Sequence, residues 1–144
     1  MYLDTAIIIK LLVVEPDSAY FQEKLGGEFL SSSELASTEV WSALLAKERK
    51  SQITGAQRDR AWQTFKTQTH SGQLLLHPLN SIVLRKATHV LERCHPQVPL
   101  RTLDAIHTAA CDLTQDFPLC TTDKRMRDAA VVLGIPVFPA DATH

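Results

Sequence analysis

Apolar residues along the chain follow two alternating patterns, which predict strands and helices in turn. Short, mostly apolar runs favour buried strands, which we place at residues 1–3, 28–31, 74–77, 118–122 and 135–138. Segments in which apolar residues recur every third or fourth position favour amphipathic helices. We place these at residues 7–13, 34–50, 55–69, 80–93, 124–133 and from residue 102 onward, with a short helix that opens at Asp17 and Ser18.

The alternation of strands with helices predicts an α/β fold. Strands joined by helices favour a mostly parallel sheet covered by helices on both faces. The helices at residues 34–50 and 55–69 follow one another without a strand between them, so we expect an inserted αα-hairpin. Pro136 marks the last strand as an edge strand, because proline cannot donate to a central ladder.

Helix-start signals accompany three of these helices. The pairs Ser31–Glu34 and Thr54–Gln57 have the spacing of a capping box. In a capping box, the side chain of each residue accepts a hydrogen bond from the backbone amide of the other. Thr102 is the expected N-cap of the helix that follows it. The apolar face of that helix is predicted to consist of Leu103, Ile106, Ala110 and Leu113.

The composition narrows the class of protein. A chain of 144 residues with 44% hydrophobic residues fits one globular domain spanning residues 1–144. The formal net charge of −1 argues against a protein that binds nucleic acid through overall positive charge, so such a role requires a local patch. The three cysteines lack C-x-x-C spacing and predict reduced, mostly buried thiols of a cytosolic protein. We expect neither a secretion signal nor a membrane span, since the apolar run at residues 6–14 contains Lys10 and is short.

Four acidic residues lie at positions from which their side chains can reach one crevice. Asp4 and Asp123 directly follow predicted strands, and ligands of parallel α/β folds bind beyond the carboxyl ends of the strands. Asp104 in a first helical turn and Glu39 beside an apolar helix face can point toward the same crevice. Each acid also has a structural alternative, either a helix-start residue or, for Glu39, a partly exposed residue at the edge of the apolar face. Together they favour a hard cation, Mg²⁺ or Mn²⁺ rather than Zn²⁺, that neutralises their repulsion.

Four sequence motifs resemble those of a known family. They are Met1-Tyr2-Leu3-Asp4-Thr5, Ser33-x-Leu35-Ala36-x-Thr38-Glu39-Val40, Leu100-Arg101-Thr102-Leu103-Asp104-Ala105-Ile106-His107 and Thr121-x-Asp123-Lys124-Arg125-Met126. In this order, and over nearly the whole chain, they resemble the motifs of PIN-domain ribonucleases, specifically the VapC-type toxins of toxin–antitoxin pairs. Ala6 departs from the pattern, because such sequences more often carry Ser or Asn there, near the metal.

The resemblance implies a three-layer α/β/α PIN-like domain that acts as a metal-dependent endoribonuclease, with Mg²⁺ or Mn²⁺ as cofactor. Asp4 and Asp104 would be metal ligands, Glu39 would position or deprotonate the attacking water, and Asp123 would complete a second metal site. All four would therefore be both catalytic and metal-binding residues. Thr121 would orient a carboxylate or a phosphate. Basic side chains would seat the RNA backbone, and they are Arg101, Lys124, Arg125 and Arg127.

The resemblance also implies partners. The substrate would be RNA, either tRNA or mRNA, and a cognate small antitoxin would lay its tail over the active-site crevice. The chain would form a homodimer, act in the cytoplasm and make no contact with a membrane.

His107 would be structural rather than catalytic, because a metal makes a histidine base unnecessary.

Three other interpretations remain open at this point. A nucleotide-binding α/β domain would carry a glycine-rich loop after its first strand, which residues 4–7 lack. A non-catalytic PIN-like domain that binds RNA or protein would be expected to lose acids from the set of four. His107 and Cys111 could form a pair of soft-metal ligands on one helix, but no second pair has matching spacing.

Overall fold

A parallel five-stranded sheet forms the centre of the protein in a computed structural model, which describes residues 1–141. The strands are β1 (Tyr2–Leu3), β2 (Leu30–Ser33), β3 (Leu74–His77), β4 (Leu119–Cys120) and β5 (Val137–Phe138). Their order is β3–β2–β1–β4–β5, and every pairing within the described residues is parallel. The prediction of an α/β fold with a mostly parallel sheet is therefore confirmed, and β5 lies at an edge as expected.

Seven helices connect and cover the strands in residues 1–141. They are α1 (Thr5–Leu12), α2 (Ser18–Leu25), α3 (Leu35–Arg49), α4 (Gly55–Ser71), α5 (Ser81–Cys94), α6 (Thr102–Thr114) and α7 (Lys124–Leu133). Each lies within a few residues of a predicted helix. None of the helices in the described part of the chain is both long and apolar enough to cross a membrane.

Strands β4 and β5 are short because neighbouring residues leave the ladder. Pro118 and Pro136 cannot donate a backbone hydrogen bond, so each contributes only its carbonyl, Pro118 to Tyr2 and Pro136 to Leu119. The predicted strands at 118–122 and 135–138 therefore shrink to two residues each. The predicted strand at residues 28–31 shifts to Leu30–Ser33, where its backbone pairs with all four residues of β3.

Neighbouring residues of the central strands point into different cores, which accounts for the three layers. Tyr2 and Leu119 belong to a core cluster built with α5, α6 and α7. Leu3 and Cys120 belong to a second cluster, built with α1, α2, α3 and α4. Because successive strand residues face opposite sides of a sheet, two fully buried residues per strand are enough to anchor both helical layers. The three cysteines are buried and free, as predicted.

The inserted αα-hairpin consists of α3 and α4. Its second helix begins with the predicted capping box, in which the Thr54 hydroxyl accepts from the Gln57 amide at 3.1 Å. The Gln57 side chain in turn accepts from the Thr54 amide at 2.8 Å. Near the tip of the hairpin, the rings of Trp41 and Trp62 lie 5.0 Å apart.

Two of the predicted helix caps are wrong. Ser31 does not form a capping box with Glu34, because β2 continues through Ser33 and Ser31 lies inside the strand. The Ser33 hydroxyl instead accepts from the Leu35 amide at 3.1 Å. Thr102 is the first helical residue of α6, and the extended N-cap position belongs to Arg101, which makes no side-chain cap.

The apolar face predicted for α6 is also partly wrong. Ile106 and Ala110 are buried, but Leu103 and Leu113 are 46% and 43% exposed. Every residue from 105 to 111 is buried, because α6 is packed between neighbouring helices and the sheet. A helix enclosed on most sides buries polar positions too, so a single stripe of apolar residues describes it poorly.

Candidate active site

Asp4 directly follows β1 and is almost completely buried. Its Oδ1 accepts from the Ile7 amide at 2.9 Å and caps α1, while its Oδ2 accepts a short hydrogen bond from the Thr121 hydroxyl. Burial raises the pKa of the Asp4 carboxyl, and the charge of Asp123 adds to this, although the two hydrogen bonds oppose them. Asp4 is thus both a helix cap and a carboxylate held at the carboxyl end of the central strand.

Thr121 and Asp123 continue the chain from β4, the neighbouring strand. The buried Thr121 hydroxyl that donates to Asp4 also accepts from the Asp123 amide at 3.0 Å. Asp123 caps α7 through Oδ1, which accepts from the Met126 amide at 3.0 Å. One hydroxyl therefore connects the two strand ends and their carboxylates.

Asp104 reaches the same edge from the first turn of α6. The Nε of Arg101 donates to Asp104 Oδ2 at 2.8 Å, and its Nη2 lies 3.6 Å from Asp123 Oδ2. The Arg101 side chain is 62% exposed, whereas that of Asp104 is 14% exposed. The largely exposed Arg101 guanidinium thus bridges a carboxylate in α6 and the carboxylate that caps α7.

Glu39 enters from α3, and its carboxylate is held by two donors. The Thr5 hydroxyl donates to Oε1 at 2.8 Å, and His107 Nε2 lies 2.5 Å from the same oxygen. Although burial raises the pKa of Glu39, the hydrogen bonds from His107 and Thr5 outweigh it, and the pKa is held below its usual value. Thr5 is the neighbour of Asp4, so Glu39 lies beside the other acids.

The structure thus links three of the predicted acids at one edge of the sheet, and Glu39 contacts Thr5, the residue after Asp4. Thr121 joins Asp4 to Asp123, and Arg101 joins Asp123 to Asp104. Within residues 1–141, however, no three Asp, Glu, His or Cys side chains are grouped closely enough to hold a metal ion as they stand. The carboxylates in this arrangement bind protein donors instead.

The chain is similar to known proteins over most of its length. The family model for the PIN domain matches residues 1–132. This chain belongs to the PIN-domain family. It is also 37% identical over 143 residues to Ribonuclease VapC46 of Mycobacterium tuberculosis, an alignment that covers 96% of this chain and 95% of that protein. The resemblance to VapC-type PIN proteins and the PIN-like α/β/α fold are therefore confirmed.

The basic residues near the acids of this PIN domain differ in their exposure and in the partners that their side chains already have. Lys124 pairs with Asp128 on its own helix at 2.7 Å and is highly exposed. Arg127 turns inward and donates to the Thr121 carbonyl at 3.0 Å, which supports the loop between β4 and α7. Arg125 is exposed at the start of α7, two residues after Asp123 in the chain. Arg101 thus contacts the acids directly, while Arg127 supports the loop.

A groove of about 680 Å³ runs along this PIN domain from the acidic edge between α1 and α3. Glu39 and Thr5 line it together with Ala6 and the exposed part of Leu103. Ala6, which replaces the polar residue usual in the family, gives this wall a methyl group.

His107 is the site residue that sequence reasoning assigned only a structural role. It is 2% exposed and sits one turn after Asp104 on α6, with one ring nitrogen toward Glu39 and the other toward Tyr2. The signal available in the sequence was its spacing, because residues three apart on a helix share a face. That spacing places His107 beneath Asp104 but does not identify Glu39 on α3 as its partner.

Proposed function

We propose that this PIN domain is an endoribonuclease toxin that hydrolyses RNA phosphodiester bonds with Mg²⁺ or Mn²⁺. The observation that carries the proposal is that Thr121 and Arg101 link three motif acids at one edge of the sheet, while Glu39 accepts from Thr5, the residue after Asp4. The name of its relative, a ribonuclease of the VapC type, supports the same activity. The residues in the proposed catalytic and metal-binding roles are Asp4, Glu39, Asp104 and Asp123.

The donor set fits a hard divalent cation. All four groups offer carboxylate oxygens, the ligands that Mg²⁺ and Mn²⁺ prefer. The negative charge of the site is only partly neutralised, since Asp104 and Asp123 share one exposed guanidinium and the charge of Asp123 raises the pKa of Asp4. When bound, the cation supplies a more acidic water and stabilises charge on the phosphate.

The side chains around the acids have separate tasks in this proposal. Asp4 and Asp104 would hold the cation and Asp123 would complete the set, with the Arg101 guanidinium displaced from both Asp104 and Asp123. Thr121 and the Ile7 amide hold the Asp4 carboxylate in one orientation. Glu39 orients or deprotonates the attacking water.

RNA would be held by cations at the rim of the site. Arg101 can exchange its carboxylate partners for a phosphate, since its side chain is largely in solvent. Lys124 and Arg125 extend this cationic rim along the first turn of α7. Such contacts position the backbone and carry no base specificity, so the choice between tRNA and mRNA substrates must come from elsewhere in the chain.

The partners and location follow from the VapC type and belong to the same proposal. A cognate small antitoxin inhibits the enzyme by covering the acidic edge, and two copies of the chain form a homodimer. The chain acts in the cytoplasm as one domain of 144 residues, which agrees with its three free thiols and its two cores around one sheet.

A second candidate is a non-catalytic PIN-like domain that binds RNA or protein. It is favoured by one observation, namely that no three acids within residues 1–141 are grouped to hold a metal. In that case Arg101 would be a permanent partner of Asp104 and Asp123 rather than a displaceable one.

RNA cleavage by the purified chain separates the two candidates. We expect cleavage in Mn²⁺ or Mg²⁺ that EDTA abolishes, and we expect Asp104→Asn to lose it by about 100-fold or more, as for removal of a group that acts on developing charge. Asp112→Asn is the matched control, since Asp112 lies on the same helix but pairs with Lys86. Full cleavage in EDTA, or by Asp104→Asn, would contradict the proposal.

A further inference from the structure

A chain of buried hydrogen bonds leads from the central strand to Glu39. The Tyr2 hydroxyl lies 2.9 Å from His107 Nδ1, and His107 Nε2 lies 2.5 Å from Glu39 Oε1. Tyr2 is fully buried and His107 is 2% exposed, so the water that normally competes for such groups is excluded. The chain spans all three layers of the fold, since these residues belong to β1, α6 and α3.

The chemistry of the partners fixes where the protons are. A carboxylate only accepts, so the short contact to Glu39 requires a proton on His107 Nε2. When Nε2 carries the proton of a neutral imidazole, Nδ1 is an acceptor, and the Tyr2 hydroxyl 2.9 Å away can donate to it. A Tyr2 hydroxyl that donates to Nδ1 thus favours the tautomer that donates to Glu39.

The same bonds leave the two oxygens of Glu39 unequal. Oε1 accepts from both His107 Nε2 and the Thr5 hydroxyl. Oε2 accepts from no group within residues 1–141, while the Glu39 side chain lines the groove at the acidic edge. One oxygen is saturated by the protein, and the other is available to a molecule in the groove.

We infer that His107 is a positioning residue for the proposed RNA hydrolysis: together with Tyr2 and Thr5 it saturates Glu39 Oε1 and leaves Oε2 to orient the attacking water. This inference rests on the proposed function and adds a role for two buried residues outside the set of four acids. Any buried histidine needs partners for its ring nitrogens, but packing alone does not require that one partner be the Glu39 carboxylate. Partners that orient the groups of a metal site typically contribute about 10–100-fold to activity or metal affinity.

Two amide variants, which differ by one methylene group, place their donor at different positions of the former ring. His107→Gln keeps a donor near the place of Nε2, whereas His107→Asn places its amide near Nδ1, beside Tyr2, and leaves Glu39 without this donor. We expect His107→Gln to keep kcat within about fivefold of wild type and His107→Asn to lose about 10–100-fold, with KM changed less than about threefold in both. Equal losses in the two variants, or no loss in either, would overturn the inference.

The proton position gives a readout that needs neither activity nor metal. In the metal-free wild type, long-range ¹H–¹⁵N correlation spectra should show a proton on Nε2 of His107, with the ring signals assigned through their correlations to the His107 backbone. Tyr2→Phe should weaken this preference for the Nε2–H tautomer, because it removes the donor to Nδ1. A bare Nε2 in the wild type would overturn the inference even if the variants fail to fold.

The same experiments distinguish this inference from the proposed function. If the wild type cleaves RNA in Mn²⁺ but the two amide variants behave alike, only the positioning role fails. If the wild type cleaves no RNA in Mn²⁺ or Mg²⁺, the proposed function fails, and the positioning role fails with it.

Discussion

At the residue scale, Asp4 and Asp123 show that a residue that caps a helix can keep one carboxylate oxygen for a second partner. Asp4 and Asp123 both accept from backbone amides at helix starts, as the structural alternative predicted. A carboxylate has two oxygens, however, and in each residue only one of them makes this cap. The second oxygen of Asp4 binds Thr121, and that of Asp123 faces Arg101. Capping therefore orients each carboxylate and leaves its second oxygen to other partners.

Burial of Asp4 leads to a prediction about pH. Because folding raises the pKa of this carboxyl above its ordinary value of 3.8, its contribution to stability is fully present below that value and is lost as the pH rises through the folded pKa. Asp4→Asn cannot lose a proton, and its amide can still cap α1. In EDTA, the free energy of unfolding of Asp4→Asn relative to wild type should therefore increase from pH 3.5 to pH 8.

Urea unfolding of both proteins across this pH range measures the difference. A difference that stays constant, or that falls as the pH rises, would mean that the Asp4 carboxylate is not disfavoured in the metal-free fold. EDTA must be present throughout, since a bound cation would favour the charged carboxylate and reverse the trend.

At the element scale, a second polar cluster ties the sheet to the loop after α6. Asp116 Oδ2 accepts from the Ser31 hydroxyl at 2.7 Å and lies 2.7 Å from His77 Nε2. Although burial raises the pKa of Asp116, the bonds from Ser31 and His77 outweigh it and lower the pKa. Serine, aspartate and histidine here do not form a nucleophilic triad, because the aspartate lies in the middle and Ser31 is fully buried. The cluster joins β2 and β3 to the segment that leads into β4.

Loss of this junction should be measurable. Asp116→Asn should lower the free energy of unfolding at pH 7 by about 1–3 kcal/mol, because two donors lose a charged acceptor. The stability due to a depressed pKa is present above the ordinary value of 3.8 and is lost as the pH falls through the folded pKa, so the difference should shrink in acid. Asp112→Asn is the control, since its partly exposed pair with Lys86 should contribute about 0–1 kcal/mol. A loss of equal size in both variants would contradict this account of the junction.

Comparison of elements also shows what the sequence could and could not predict. Periodicity placed all seven helices, because each buries an apolar face whose spacing is visible in the chain. It could not place the caps at Ser31 and Thr102, since a hydroxyl that suits a cap also suits a strand or a first helical turn. His107 and Glu39 lie on two helices and are 68 residues apart in the chain, so no local signal in the sequence indicates their contact.

At the scale of the whole molecule, the parallel sheet explains why the acids meet. The carboxyl ends of β1 and β4 lie side by side, so Asp4 and Asp123 become neighbours although they are far apart in the chain. Helices on the two faces then add Glu39 from α3 and Asp104 from α6. This convergence was predictable, because it follows from topology. The role of Arg101 as a bridge between two acids was not, because the sequence suggested only an RNA contact.

The central claim is that these four carboxylates form a site for a divalent cation, and thermal unfolding of wild type and Asp104→Asn tests it directly. In EDTA, Asp104→Asn should unfold at or above the wild-type temperature, because one repelling charge is gone. The pair that it loses with Arg101, whose own side chain is 62% exposed, contributes only about 0–1 kcal/mol. At Mn²⁺ concentrations of about 100 times the dissociation constant, wild type should gain about 2.7 kcal/mol, and the variant should lose most of that gain. An Asp104→Asn protein that is less stable than wild type in EDTA, yet equally stabilised by Mn²⁺, would show that Asp104 is a first-turn charge and not a metal ligand.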